Sequence, residues 1–183
     1  MIEWIIGVIV VVIVLTFIII YNGFIRLKNE VDNSNAQIDV QLKRRNDLIP
    51  NLIETVKGYV KHEKTLLENI TKARSAMLGA TSLEQKAKMS NQLTETLKSL
   101  FAVAENYPTL RANENFKQLH EELVATEDKI SYSRQYYNDV VMQYNTKREV
   151  LPSNIVAGMF NFTKRDLFKA PESEKKVIKV SFS

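Results

Sequence analysis

Phe116–Tyr144, FKQLHEELVATEDKISYSRQYYNDVVMQY, carries the pattern that decides the fold class. Phe116, Leu119, Leu123, Thr126, Ile130, Ser133, Tyr137, Val140 and Tyr144 follow one another in alternating steps of three and four. A helix puts residues so spaced on one face, whereas a strand would repeat at every second position. The stretch therefore predicts one long helix with a narrow seam, in which Thr126 and Ser133 are the small polar members. Glu121, Glu122, Glu127, Lys129 and Arg134 fall off the seam and are expected in solvent. A seam of this kind suits the core of a bundle and a coiled-coil dimer equally well.

Upstream the same period recurs. Leu83, Met89, Leu93, Leu97, Leu100 and Phe101 form a second stripe, opened by a capping box at Thr81 and Glu84 and closed by Pro108. Ile49, Leu52 or Ile53, Val56, Val60, Leu67, Ile70, Arg74 and Met77 form a third, ending near Gly79. Phe24, Leu27, Val31, Ser34, Ile38 and Leu42 form a fourth. Pro50 interrupts the run between them. Either Asp47 caps a new helix with Pro50 in its first turn, or Pro50 kinks one long helix. No strand pattern competes before residue 170. The expected fold is all-α, an antiparallel up-and-down helical bundle.

The N-terminal segment differs in kind. Eighteen of residues 1–21 are hydrophobic, and no charge occurs from Trp4 to Ile25. Twenty-two helical residues cover roughly 33 Å, enough for a hydrocarbon core of about 30 Å. A cleaved signal peptide would carry a basic start and a small-x-small cleavage site; this segment has Glu3 and neither of those features. Residues 1–25 are expected to be a retained single-pass anchor continuing into a bundle at 26–150. Residues 151–183 then supply a short apolar helix and a tail. Arg26 and Lys28 follow the span and no basic residue precedes it, so the positive-inside rule puts the soluble part in the cytoplasm, the extracytoplasmic side being the alternative. Ser153–Phe162, SNIVAGMFNF, is too short to span a bilayer. It reads as a helix closing the end of the bundle, or as a membrane-surface contact through Met159, Phe160 and Phe162. In the tail, Ile178, Val180 and Phe182 alternate with Lys179 and Ser181, a pattern fitting disorder or a strand added to another sheet's edge.

Chemistry is sparse. With no cysteine there is no disulfide, thiolate metal site or cysteine nucleophile. His62-Glu63 and His120-Glu121 each begin like a helical zinc motif, but Leu66 and Val124 stand where the second histidine is needed. The five glycines form no phosphate-binding loop. A net charge of +4 with a single basic triplet, Lys43-Arg44-Arg45, gives no nucleic-acid stripe. No enzyme, cofactor, metal or nucleic-acid partner is expected. The conspicuous polar group is Gln37, Asp39, Gln41, Arg44, Arg45, Asp47, Asn51, Glu54 and Lys57. It reads as interhelical hydrogen bonding around Pro50, with an arginine satisfying freed carbonyls, or as a recognition surface for a membrane partner.

These residues also carry a resemblance. Gln37–Arg45 (QIDVQLKRR), Asp47–Asn51 (DLIPN), Glu54–Tyr59 (ETVKGY), Ala112–Phe116 (ANENF) and Ala157–Phe160 (AGMF) resemble, in order, the signature blocks of the LemA family of bacterial membrane proteins. Ser34-Asn35 departs from the family's usual Ala-Trp pair, so no role resting on that tryptophan carries over. The resemblance implies one N-terminal membrane helix and a soluble antiparallel bundle, with no agreed activity. It also implies an association with membrane-protease or stress-response machinery. The expected function is a membrane-anchored interaction or scaffold protein with a protein partner or a second copy of itself. The alternative is a lipid-binding or envelope-remodelling module whose second membrane contact is at 153–162.

Overall fold

A continuous apolar run followed by a three-four stripe has no reason to break, and helix α1 spans Ile2–Lys57. The structure, a computed structural model, describes residues 1–60 and 63–168; His62 and the Ile178–Val180–Phe182 alternation lie outside the described residues. After α1 come α2 (Lys64–Leu78), α3 (Leu83–Ala104), α4 (Pro108–Ala112), α5 (Glu114–Glu149) and α6 (Ser153–Met159). Among the described residues there is no strand.

Pro50 lies inside α1 and Asp47 caps nothing. The Asp47 carboxylate instead accepts from Lys43 one turn earlier, at 2.7 Å on the exposed face. Three more boundaries depart from the sequence expectation. The stripe read from Ile49 to Met77 is divided, α1 ending at Lys57 and α2 beginning at Lys64. The capping box of α3 belongs to Ser82 and Gln85, one residue later than expected, because Ser82 has the extended backbone that lets its hydroxyl accept from the Gln85 N–H. Pro108 does not close α3; its fixed φ and missing N–H suit the first turn of α4, which it opens.

The helices contribute to two compact units that do not follow chain order. The first comprises residues 1–37 and 133–167. Its α1 segment begins with a stretch of mean hydropathy 3.1 of which nothing is buried within the chain. Fully burying a large apolar side chain is worth about 1.5–3 kcal/mol, so an uncovered row of them is a helix surface made for lipid. From Phe24 onward α1 enters a core. Phe24 is fully buried, its ring stacked on Phe162 at 4.7 Å and edge-on to Tyr144 at 6.0 Å. Val31, Tyr137, Val140, Val141 and Val156 are buried in the same unit. The chain beyond α6 is tied to α5 by Asn145, whose Nδ2 donates to the Arg165 carbonyl and whose Oδ1 accepts from the Arg165 N–H, at 2.9 and 3.0 Å.

The second unit holds residues 38–132 and Phe168. Ile49, Leu52, Val56, Ile70, Leu93, Leu97, Leu100, Leu110, Phe116 and Leu123 form its core, with α2 packed against α3. The seam of α5 is found as read: each of its nine residues is buried except Leu119, which is half-buried. Gly58 lies in the turn after α1 with open space around it.

Candidate functional site

Of the nine polar residues singled out near Pro50, only Arg45 lies in the core. Its side chain is 1% exposed and reaches α3 and α5. Nη1 donates to Thr94 Oγ1 at 2.9 Å and to Glu127 Oε2 at 2.5 Å, while Nη2 donates to Ser90 Oγ at 2.6 Å. Burial pushes the guanidinium's pKa down, and the charge and hydrogen bond of Glu127 oppose that shift. Thr94 Oγ1 also lies 3.0 Å from the Ser90 carbonyl and 3.1 Å from Glu127 Oε1. Arginine's planar fork suits this three-way arrangement, which lysine's single ammonium would not fill. Glu127, expected in solvent, is half-buried instead, because the arginine draws it inward. Beside the pair lies a small cavity of about 190 Å³ lined also by Leu97, Phe101 and Leu123.

Asp39 forms an ion pair with Lys86 of α3, at 2.6 and 2.8 Å to its two oxygens. Gln41 is half-buried with its carbonyl oxygen unpartnered. Gln37, Arg44, Asp47, Asn51, Glu54 and Lys57 are exposed, Glu54 and Lys57 facing each other at 3.8 Å. The structure thus brings Arg45 and Asp39 to separate partners and does not bring the nine together.

The gap at Pro50 is closed from another helix. Proline has no N–H to give the carbonyl four residues earlier, which is that of Asn46. Arg74 of α2 donates its Nε–H to that oxygen at 3.0 Å. The sequence put Arg74 on the apolar stripe of its helix, where it is half-buried.

No group of three or more His, Asp or Glu side chains suited to a metal exists among the described residues. His120 packs its ring on Phe101 at 4.2 Å. The second unit does carry a larger groove, about 510 Å³, lined by Ile53, Val60 and Leu67 together with Lys57, Lys64, Lys72, Glu68 and Thr71. Nothing in the sequence pattern announced it, since these residues come from two helices and the turn between them.

In the first unit Met159 and Phe160 are exposed and Phe162 is half-buried. Tyr137, a seam residue, donates its hydroxyl to the Asp166 carbonyl at 2.9 Å. Burial pushes its pKa up; the charge of Arg165 lowers it, and Asp166 and Asp32 raise it further. A raised folded-state pKa means stability that is intact below the unfolded value of about 10 and lost as pH rises through the folded one. Thermal melts between neutral pH and strongly alkaline pH should therefore fall more steeply for the natural protein than for Tyr137→Phe. At neutral pH the variant should be weaker by about 1 kcal/mol for the lost hydrogen bond.

Comparison with known proteins completes the description. Protein LemA of Metamycoplasma hominis is 26% identical, the match covering 84% of this chain and 71% of that protein. Magnetosome protein MamQ 2 of Paramagnetospirillum magneticum is 23% identical over 87% of this chain and 68% of its own length. Magnetosome protein MamQ of Magnetospirillum gryphiswaldense is 21% identical, with 84% and 66% covered. The sequence profile of the LemA family matches residues 34–182.

Proposed function

The chain belongs to the LemA family, and from that premise we propose that it acts as a membrane-anchored helical interaction protein, without a reaction of its own. The observation that carries this reading is the lysine-lined groove. An apolar lining of Ile53, Val60 and Leu67 together with Lys57, Lys64 and Lys72 is complementary to an amphipathic helix with acidic residues beside its apolar face. The acidic side chains nearby do little to neutralise these lysines: Glu54 lies 3.8 Å from Lys57 and Glu68 lies 4.0 Å from Lys64, all largely exposed. Such exposed pairs are worth little and yield readily to a partner's carboxylates.

Arg26 and Lys28 directly after the span support a cytoplasmic groove. The chain has no cysteine, so Tyr132→Cys, on an exposed surface, reports the side by its protection from an impermeant maleimide in intact cells. The partner test is photocrosslinking of the full-length protein in its native membrane, with the crosslinker at Thr71, which also lines the groove. A discrete protein adduct is expected, the partner being another protein or a second copy of this chain. Its disappearance in the Lys57→Glu, Lys64→Glu, Lys72→Glu variant is expected as well. No adduct, or an adduct indifferent to the charge reversal, overturns the reading.

A further inference from the structure

Helix α6 is inside out for a helix in water. Its buried residues are Ser153, Val156 and Ala157, whereas Ile155 and Met159 point outward at 57% and 65% exposure. Phe160, directly after it, is 47% exposed. A helix packed on a soluble core puts its larger apolar side chains inward, so the arrangement calls for an apolar surrounding on the outer side.

The neighbouring contacts identify that surrounding. The Phe160 ring lies 4.6 Å from Tyr21 and 6.0 Å from Phe17, both on the membrane-spanning part of α1. At about 1.5 Å per residue, Phe17 and Tyr21 sit roughly 12 and 6 Å inside the Ile25 end of the uncharged run. Interfacial helices bury their apolar face about 5–10 Å into the headgroup–acyl boundary, the same depth. Two features hold the segment there. Asn161 has φ 52°, and this left-handed residue turns the chain so that the Phe162 N–H donates to the Ala157 carbonyl at 3.0 Å, closing the helix. Phe162 then stacks on Phe24. From Val150 to Thr163 there is no charged residue, while Lys147, Arg148 and Glu149 precede the stretch and Lys164, Arg165 and Asp166 follow it. Lys147 lies over the Phe24 ring, Arg148 pairs with Glu149 and Arg165 with Asp32, while the exposed Lys164 has a stem long enough to reach phosphate headgroups.

We propose that α6 and the turn after it enter the same bilayer leaflet as the C-terminal end of the span, with Ile155, Met159 and Phe160 among the acyl chains. The protein therefore meets the membrane twice on one side, once across it and once along its surface.

The test uses the full-length protein in vesicles of phosphatidylcholine and phosphatidylglycerol. Single cysteines replace Ile155 or Met159 and carry a nitroxide, with Val14→Cys in the span and Tyr132→Cys in the other unit as references. Both replaced side chains point outward, so folding is not at stake. Labels at 155 and 159 should be relaxed more by oxygen than by a water-soluble nickel chelate, resembling position 14, and their oxygen-to-nickel ratio should exceed that at position 132 several-fold. A ratio matching position 132 overturns the proposal. Shielding from both relaxing agents also overturns it, since protein rather than lipid would then cover α6. Nickel access at position 14 would overturn the span itself, and a failure there is distinct from a failure at the lysine-lined groove.

Discussion

Replacing Glu127 with alanine is expected to lower the melting temperature by far more than replacing Arg45 with methionine. The two residues form one ion pair, but their surroundings are unequal. Arg45 is 1% exposed and Glu127 is 36% exposed. Without Glu127, a guanidinium stays in the core with only neutral hydrogen-bond partners, Thr94 and Ser90. Leaving a buried charge uncompensated costs about 3–5 kcal/mol. The partial exposure of Glu127 and the adjoining cavity let some water reach the site, which favours the lower end. For a chain of this size about 3 kcal/mol corresponds to a drop of roughly 6–12 °C. Without Arg45, Glu127 can turn to solvent and Thr94 Oγ1 still reaches the Ser90 carbonyl. Methionine fills the arginine's volume without a charge to bury, and replacing buried ionic groups with apolar ones is often neutral. Equal losses in the two variants would show that the arginine's hydrogen bonds, not its burial, set the balance.

The second large effect is a coupling between Pro50 and Arg74. Arg74→Ala alone leaves the Asn46 carbonyl without its donor, a loss of about 1–3 kcal/mol. In a Pro50→Ala background the new N–H completes the helix bond to that same carbonyl, and Arg74→Ala should then cost much less. Pro50→Ala by itself should stabilise α1, because proline in a helix interior is unfavourable by about 3 kcal/mol relative to alanine and position 50 is exposed. The coupling energy from the four-protein cycle is expected at about 1 kcal/mol or more. Additive effects would mean that Arg74 supports the helix in some other way than through the freed carbonyl.

The helices were legible because their period is local. Phe116 to Tyr144 repeats in threes and fours, and a strictly local rule suffices to put all nine residues on one face. The stripe of α3 was legible for Leu93, Leu97 and Leu100, but its buried members Ala87, Ser90 and Ala104, at the same three- and four-residue steps, are too small or polar to stand out as apolar. Val141 is fully buried beside Val140 because the buried face of α5 is wider there than a two-position seam. The polar interior was another matter. Arg45 drew notice by its charge, yet Ser90 and Glu127 lie 45 and 82 residues away in sequence, and no local rule pairs them. The groove and the α6 contacts share that limit: each depends on which helix faces arrive at one place. Arg74 is the instructive middle case. A missing N–H at Pro50 predicts an orphaned carbonyl, and an arginine was the expected donor, but which arginine only the packing of α2 decides.

Phe24 has a practical bearing on how this protein can be cut. Its ring closes the hydrophobic centre of the first unit, between Tyr144 and Phe162, while standing inside the uncharged run that begins at Trp4. A soluble fragment started after Ile25 would therefore discard part of its own interior and uncover Phe162. Detergent-free preparations lacking the first twenty-five residues should be sticky for that reason alone. A workable boundary has to retain Tyr21 and Phe24 and shed the lipid-facing residues before them.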